Sequence, residues 1–158
     1  YIGVSSSPKK RILARDLFKT KNILFPPIFQ ESAKISMFSN ISKGIYLGDF
    51  TTIESNTKIN EFSFINSHTH IGHDSSIGRF CLLGGSVIIN GECFVEDYCF
   101  LGSSVTVING KRIGKGSVIQ AGTVITEDIP NFSFVSNNPF KVWPVGILGK
   151  DFQIASNN

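Results

Sequence analysis

The sequence predicts a parallel β-helix, because residues 35–130 form one unbroken six-residue repeat. Every sixth residue of this stretch is aliphatic: Ile35, Ile41, Leu47, Ile53, Ile59, Ile65, Ile71, Ile77, Leu83, Ile89, Val95, Leu101, Val107, Ile113, Ile119 and Ile125. Four residues after most of them comes a small or β-branched side chain that would fit a narrow interior: Ser39, Thr51, Thr57, Ser63, Thr69, Ser75, Cys81, Val87, Cys93, Cys99, Val105, Ser117 and Thr123. A period of six matches neither a helix nor a hairpin alternation, and it is typical of a parallel β-helix.

Three six-residue sides would close one triangular coil, in which residues eighteen apart stack at about 4.8 Å, the spacing of parallel strands. Residues 35–130 would then form a little over five coils. Glycine directly follows six of the aliphatic positions, at Gly48, Gly72, Gly78, Gly84, Gly102 and Gly114. We expect these glycines to take a positive φ at tight corners.

The composition excludes several classes of partner. The chain has a formal net charge of +3, and no basic run is longer than Lys9, Lys10 and Arg11, so we expect no nucleic-acid partner. No apolar stretch is long enough to cross a membrane, and the N-terminus lacks the apolar core of a signal peptide. We therefore expect a cytoplasmic protein with no membrane partner.

All three cysteines, Cys81, Cys93 and Cys99, fall in the small inward slot of the repeat. Serine and threonine fill the same slot in neighbouring hexads, so we interpret the cysteines as packing residues. A disulfide or a metal site would require them to leave the interior.

Two shorter segments flank the repeat. Residues 1–34 are predicted to form a strand over 1–4, a helix of about a dozen residues after Ser7 and Pro8, and a strand over 23–25. The order strand, helix, strand is that found at the C-terminal end of an α/β unit, and the N-terminal part of such a unit would lie upstream of Tyr1. Residues 131–158 form a C-terminal extension, which we expect to be irregular as far as Pro144 and frayed over 151–158.

Residues eighteen apart should form columns of stacked side chains. One corner carries charges of alternating sign, at Lys43, Glu61, Arg79, Asp97 and Lys115, and the next position carries aromatic rings, at Phe62, Phe80 and Tyr98. The residue before each aliphatic position should face outward, and on one side these residues are all apolar: Tyr46, Phe64, Leu82, Phe100 and Val118. Such a stripe is hard to explain on a monomer, so we predict a homotrimer about an axis parallel to the coils.

His73 and Asp74 are adjacent at one corner and form the candidate catalytic pair. A carboxylate beside an imidazole stabilises its protonated form and makes the imidazole a better base near pH 7. Gly91, one coil farther on, should leave space over the ring. If His73 is considered without its neighbours, the alternative to a catalytic role is a solvent-exposed histidine at a corner with no function.

His68 and His70 raise a second possibility, a zinc site. Counted in hexads, His68 lies at a different corner from His73, about five extended residues or roughly 16 Å away. Zinc ligands lie about 2 Å from one ion, so a single chain cannot bring both histidines to one metal. A zinc site would have to be shared between subunits.

Several segments together resemble the left-handed β-helix acyltransferases: the repeat itself, the pair His73 and Asp74 after Asn66, VIQAGTVITEDIP, and VSNNPFKV. More narrowly, the chain is similar to the sialic acid O-acetyltransferases and the nucleotide-activated amino-sugar N-acetyltransferases. In that family a Rossmann-like sugar-binding domain precedes the β-helix, and residues 1–34, with KRILARDLF and LFPPIFQESAKIS, resemble its C-terminal remnant. The left-handed sense is implied by the resemblance alone, because the general crossover rule favours a right-handed coil.

The resemblance implies direct transfer of an acetyl group from acetyl-CoA to an amine or hydroxyl of a sugar, in cell-surface polysaccharide biosynthesis and without a metal. His73 matches the family's general base, Asp74 the acid that strengthens it, and Asn66 a substrate contact. Acetyl-CoA would lie between subunits, against Leu82, Gly91, Gly102, Ser103 and Ala121. Two residues depart from the family pattern: Leu82 replaces a second histidine found in many relatives, and Phe140 replaces a residue that is normally small.

Two other functions stay open. One is a trimeric zinc enzyme resembling the gamma-class carbonic anhydrases, and the other is a β-helix that only binds a partner. The sequence does not identify the sugar, and it does not distinguish amine from hydroxyl acceptors or acetyl from longer acyl donors.

Overall fold

The computed structural model describes residues 24–137 and 140–144, together with residues 12, 13 and 16. The side chains of residues 137 and 140–144 lie outside this description. Residues 12, 13 and 16 have a helical backbone. The strand expected over 1–4, the rest of the predicted helix and the tail at 151–158 lie outside the described residues. No helix in the described part of the chain has the length and apolar character needed to span a bilayer.

The described chain forms a parallel β-helix with one sheet along each of its three sides. Sheet A contains β1 (Ile28–Phe29), β4 (Tyr46–Leu47), β7 (Phe64–Ile65), β10 (Leu82–Leu83), β13 (Phe100–Leu101), β16 (Val118–Ile119), β18 (Ser133–Asn137) and β19 (Phe140–Pro144). Sheet B contains β2 (Lys34–Ile35), β5 (Thr52–Ile53), β8 (His70–Ile71), β11 (Ile88–Ile89), β14 (Thr106–Val107) and β17 (Val124–Ile125). Sheet C contains β3 (Asn40–Ile41), β6 (Lys58–Ile59), β9 (Ser76–Ile77), β12 (Phe94–Val95) and β15 (Arg112–Ile113).

From β1 to β17, strand partners are eighteen residues apart, as the repeat predicts. Leu82 pairs with Phe100 in sheet A, and Ile88 pairs with Thr106 in sheet B, both in parallel. The parallel pairing of sheet A begins at β1, the strand that precedes the one containing Ile35, and it continues to β18. Sheet A therefore spans six coil steps, where a little over five were expected.

The strand predicted over residues 23–25 is wrong at Leu24 and Phe25, which have no strand structure, while residue 23 lies outside the described residues. Pro26 and Pro27 have no backbone N–H to donate to a ladder, and β1, the first strand in the described part of the chain, begins directly after them. The N–H of Ile28 then donates to the carbonyl of Ile45 at 2.8 Å.

The irregular structure expected over residues 131–144 is also wrong for residues 133–137 and 140–144. Strands β18 and β19 form an antiparallel hairpin, and β18 pairs in parallel with β16. The aliphatic Val135 pairs with Ile119 and is fully buried, so it continues the core after a last coil that is two residues shorter than the others.

The core is a stack of the aliphatic residues that the repeat predicts to point inward. Leu47, Ile65, Leu83, Leu101 and Ile119 are all fully buried, and their counterparts from the other two sheets are buried too, except Ile35 and Ile41 in the first coil, which are partly buried. Burial of each such side chain stabilises the folded state by about 1.5–3 kcal/mol relative to leaving it exposed. This uniform interior fixes the register of every coil, and so it fixes which corner residues stack.

Small polar side chains in the interior bond to the next coil. Ser63 Oγ donates to the carbonyl of Gly78 at 2.7 Å, and Cys81 Sγ donates to the carbonyl of Glu96 at 3.0 Å. Cys93 and Cys99 are buried in the same way. The interpretation of the cysteines as packing residues is therefore confirmed.

The glycines that follow the aliphatic positions do not take a positive φ, which corrects the expectation. Positive φ occurs two residues later, and side chains of many kinds occupy it: Phe50, Asn56, Phe62, His68, Asp74, Phe80, Ser86, Glu92, Tyr98 and Ser104. The glycines are needed instead because successive coils approach closely. A Cβ at Gly78 would lie 2.4 Å from the backbone nitrogen of Asp97, and one at Gly72 would lie 2.7 Å from the carbonyl carbon of Asn90.

The predicted columns form at the corner between sheets C and A. Phe62, Phe80 and Tyr98 stack with ring centroids 5.3 and 5.5 Å apart. In the charged column, Lys43 pairs with Glu61 at 3.4 Å and Arg79 with Asp97 at 2.7 Å.

The apolar stripe on sheet A also forms as predicted, and its members are half-buried: Tyr46, Phe64, Leu82, Phe100 and Val118. They are consecutive strand partners, and the rings of Tyr46 and Phe64 stack at 4.7 Å. The stripe is continuous along the coil axis.

Candidate active site

The candidate site lies at the BC corner, where successive coils pass from sheet B to sheet C. After β8 the chain turns through His73 and Asp74, and Asp74 takes a φ of 57°, which aspartate tolerates better than most residues. The N–H of Asp74 donates to the carbonyl of Ser55 in the coil below, at 3.0 Å. The carbonyl of His73 accepts from the N–H of Glu92 in the coil above, at 2.8 Å. The backbone of this candidate pair is therefore fixed from both sides.

The imidazole of His73 is oriented by Asp74. His73 Nδ1 and Asp74 Oδ2 are 2.8 Å apart, and because a carboxylate only accepts hydrogen bonds, Nδ1 is the donor. In the neutral ring, Nε2 then carries the lone pair and is the basic nitrogen. Asn56, one coil below, donates from Nδ2 to the other oxygen of Asp74 at 3.1 Å.

The hydrogen bond between His73 and Asp74 shifts the pKa values of these two side chains in opposite directions. The hydrogen bond to Asp74 raises the pKa of His73 above its ordinary value, and the charge of Asp74 adds to the effect. The same bond, followed by the one from Asn56, lowers the pKa of Asp74. The pair is about half exposed to solvent, with side-chain exposures of 52% and 50%, so a dissolved substrate can reach the ring.

Gly91 provides the predicted space over the imidazole. A Cβ at this position would lie 2.5 Å from His73 Nε2 and 2.6 Å from Cε1, closer than any side chain allows. The same Cβ would lie 3.0 Å from Oδ1 of Asn109, one coil farther on. Only glycine lets the ring lie against the coil above it.

Two polar residues beside the pair, Glu54 and Asn56, were missed by the sequence reasoning. Glu54 Oε2 accepts the backbone N–H of His73 at 3.0 Å, and Glu54 Oε1 lies 3.6 Å from His70 Nε2. Asn56 precedes Asp74 by eighteen residues, so the spacing of the repeat contained the signal for it. The same spacing places Asn109 in one column with His73 and Gly91, but nothing in the sequence assigned it a role.

The other predicted site residues lie elsewhere in the same chain. Leu82 belongs to the apolar stripe, while the rest lie at the AB corner, between sheets A and B: Asn66, Gly102, Ser103 and Ala121. Ser103 and Ala121 are exposed, and Asn66 Oδ1 accepts the N–H of Ser67 at 2.8 Å. Gly102 is buried, and a Cβ there would lie 2.5 Å from the backbone nitrogen of Ala121, so close packing of the coils explains this glycine.

One chain thus brings together His73, Asp74 and Gly91 but places the remaining candidates on sheet A and at the AB corner. His68 also lies at the AB corner, where its ring stacks on Phe50 with centroids 5.1 Å apart. Within residues 24–137 no three His, Cys, Asp or Glu side chains are grouped in a way that could hold a metal ion.

Comparison with protein families gives a match to the hexapeptide repeat of succinyl-transferase over residues 94–127. The same period extends through the rest of the β-helix, from β2 to β17. The match thus covers part of a hexapeptide repeat that runs through the whole β-helix. The matched residues begin just after Gly91 and Glu92, which lie one coil above the candidate catalytic pair.

Curated relatives match the hexapeptide-repeat chain over short segments. YvoF of Bacillus subtilis (strain 168), provisionally named an acetyltransferase, is 38% identical over 42 residues, which is 27% of this chain and 24% of YvoF. The 2,3,4,5-tetrahydropyridine-2,6-dicarboxylate N-acetyltransferase of Staphylococcus aureus (strain JH9) is 36% identical over 42 residues, 27% of this chain and 18% of the enzyme. The matches therefore span about a quarter or less of these relatives.

Solved structures match nearly the whole β-helix. WeeI from Acinetobacter baumannii AYE superimposes with a TM-score of 0.82 at 24% identity, over 86% of this chain and 66% of WeeI. A mutant perosamine N-acetyltransferase from Caulobacter crescentus, in complex with CoA and GDP-perosamine, superimposes with a TM-score of 0.80 at 24% identity, over 85% of this chain and 64% of that one. At this level of identity the superpositions establish a shared fold.

Proposed function

We propose that this chain is the β-helix part of an acetyltransferase that moves an acetyl group from acetyl-CoA to the amine or hydroxyl of a sugar. The observation that carries the proposal is the His73–Asp74 pair, in which Asp74 holds Nδ1 and leaves a basic Nε2 at an exposed corner. The names of the relatives and of the structural neighbours support the same chemistry.

In this proposal His73 is the general base. Nε2 accepts a proton from the attacking amine or hydroxyl as that atom forms a bond to the thioester carbonyl carbon. The carbon–sulfur bond breaks, and the proton passes to the departing thiolate. Asp74 stabilises the positive charge on the imidazole while the proton is held there.

Acetyl-CoA is proposed to bind at the AB corner and along sheet A. Ser103 and Ala121 are exposed and small, and so leave room for an extended pantetheine arm, while Leu82 offers an apolar contact beside them. Gly91 would border the thioester end and Asn66 would contact the sugar. Asn66, Ser103 and Ala121 lie at a different corner from His73 and Gly91, so the complete site needs the AB corner of one chain beside the BC corner of another.

A homotrimer would supply this arrangement. The apolar stripe on sheet A runs along the coil axis, and its burial between subunits would bring each BC corner close to a neighbouring sheet A. Sedimentation at micromolar concentration should therefore give the mass of three chains.

Calorimetric titration with acetyl-CoA tests the proposal. We expect about one molecule bound per chain and weaker binding by Ala121→Trp, because the large ring would fill the space above the AB corner. Lys58→Trp, at an exposed position on sheet C, is the matched control and should bind normally. No binding at millimolar acetyl-CoA would reject the proposed function.

A further inference from the structure

Asn109 lies at the BC corner in the coil above Gly91 and faces the same space as His73. Its Nδ2 donates to Glu92 Oε2 at 3.3 Å. Because a carboxylate can only accept, this bond fixes which end of the amide faces which way. Oδ1 is therefore the end that faces Gly91, 3.0 Å from the position that a Cβ would occupy there.

One bound atom can contact both His73 and Asn109. His73 Nε2 and Asn109 Oδ1 lie 2.5 and 3.0 Å from the same point, so their separation cannot exceed the sum of these two distances. A donor atom forms hydrogen bonds of about 2.7–3.2 Å, so a single atom over this corner can reach both groups. Both groups accept hydrogen bonds, because the neutral imidazole presents a lone pair at Nε2 and the amide presents its oxygen.

Two acceptors around one atom distinguish an amine from a hydroxyl. A neutral primary amine has two N–H donors and a lone pair, so it can donate to His73 and to Asn109 while its lone pair points at the thioester carbon. A hydroxyl has one O–H donor. Donation to His73 would leave the hydroxyl oxygen facing Asn109 Oδ1 with no hydrogen between them.

We infer that Asn109 is a positioning residue that selects a primary amine as the acetyl acceptor, through the joint placement of His73 Nε2 and Asn109 Oδ1 around one nitrogen atom. This inference rests on the acetyl transfer proposed above. In the reaction the nitrogen gives one proton to Nε2, forms the carbon–nitrogen bond and displaces the thiolate, which takes up the proton. The second N–H stays bonded to Asn109 throughout and becomes the N–H of the product amide.

The test compares nucleotide sugars that differ only in carrying an amine or a hydroxyl: UDP-glucosamine against UDP-glucose, and GDP-perosamine against GDP-rhamnose. Release of the CoA thiol from acetyl-CoA is followed for the full chain, for Asn109→Ala and for Asn40→Ala. Asn40 is an exposed asparagine on sheet C and serves as the matched control. The readout is the ratio of kcat/KM for the amine to kcat/KM for the hydroxyl.

We expect transfer to an amine, and we expect Asn109→Ala to lower kcat/KM for that amine about 10- to 100-fold while the hydroxyl rate and the Asn40→Ala rates stay within about twofold. A purely structural role of Asn109 would lower both rates alike. Preference for a hydroxyl, or an amine preference unchanged in Asn109→Ala, overturns the inference while leaving acetyl transfer intact. Transfer to none of the four sugars also overturns the inference, and it rejects the proposed function as well if acetyl-CoA fails to bind.

Discussion

Gly91 lies one coil above His73, and a Cβ at position 91 would come within 2.5 Å of His73 Nε2. The contact is to a side chain, and Gly91 is not among the residues with a positive φ, so alanine can be accommodated only if the imidazole moves. We expect Gly91→Ala to reduce acetyl transfer about 100-fold, because a displacement of about 1 Å at the reacting group has an effect of this size. The fold should be retained, with an unfolding temperature close to that of the parent. Turnover at the parental rate would show that the ring does not need this space.

Replacement of Asp74 by asparagine should change the pH dependence of transfer. Only the neutral imidazole accepts a proton, so the rate should rise with pH through the pKa of His73, which the bond to Asp74 raises above the ordinary 6.5. Asp74→Asn removes the negative charge, so the midpoint of the acid limb should move to lower pH. The plateau rate should fall about 100-fold or more, because the weaker base is also no longer held in one tautomer.

The profile of kcat/KM against pH for the parent and for Asp74→Asn measures both effects. Asn56→Ala removes only the second hydrogen bond to Asp74, so it should give a smaller change. An unchanged midpoint in Asp74→Asn would contradict the assignment of Asp74 as the partner of the base.

The aromatic column should contribute strongly to stability. Phe80 is 1% exposed and stacks between Phe62 and Tyr98, so Phe80→Ala should lower the free energy of unfolding by about 3–5 kcal/mol. Phe38, which is 70% exposed, provides the matched control, and Phe38→Ala should stay within about 0.5 kcal/mol. Urea unfolding of the two variants gives the comparison. Equal losses would show that the stack contributes no more than an exposed ring does.

The repeat made much of the fold predictable, because in a strict period the number of residues between two positions determines whether they are in contact. Each step of eighteen residues is one strand spacing, so the sequence alone placed Phe80 against Phe62 and Gly91 over His73. The apolar stripe on sheet A followed from the same counting. The His73–Asp74 bond needed only that adjacent residues share a corner.

Backbone conformation and side-chain reach were not predictable in this way. The repeat specifies which residues stack but not their φ angles, so the corner glycines were assigned a positive φ when close approach of the coils is their function. Glu54 was missed because it contacts His73 from a position nineteen residues earlier, through the length of its side chain. The hairpin of β18 and β19 was missed because its last coil departs from the period.

Counting in hexads also predicted the division of the candidate site between two corners, with Ser103 and Ala121 at one corner and His73 at another. The structure confirms this separation within the chain. Association of chains is therefore a requirement of the proposed function rather than an independent property.

The turnover of His73→Ala with acetyl-CoA and an accepting sugar tests most directly whether His73 is the base of acetyl transfer. The side chain is half exposed, so its removal should leave the unfolding temperature and the mass in sedimentation unchanged. We expect a loss of about 10²–10⁴-fold in kcat, with partial recovery when imidazole is added to the solution. Turnover within a few-fold of the parent, by a folded and assembled variant, would show that His73 is not the base.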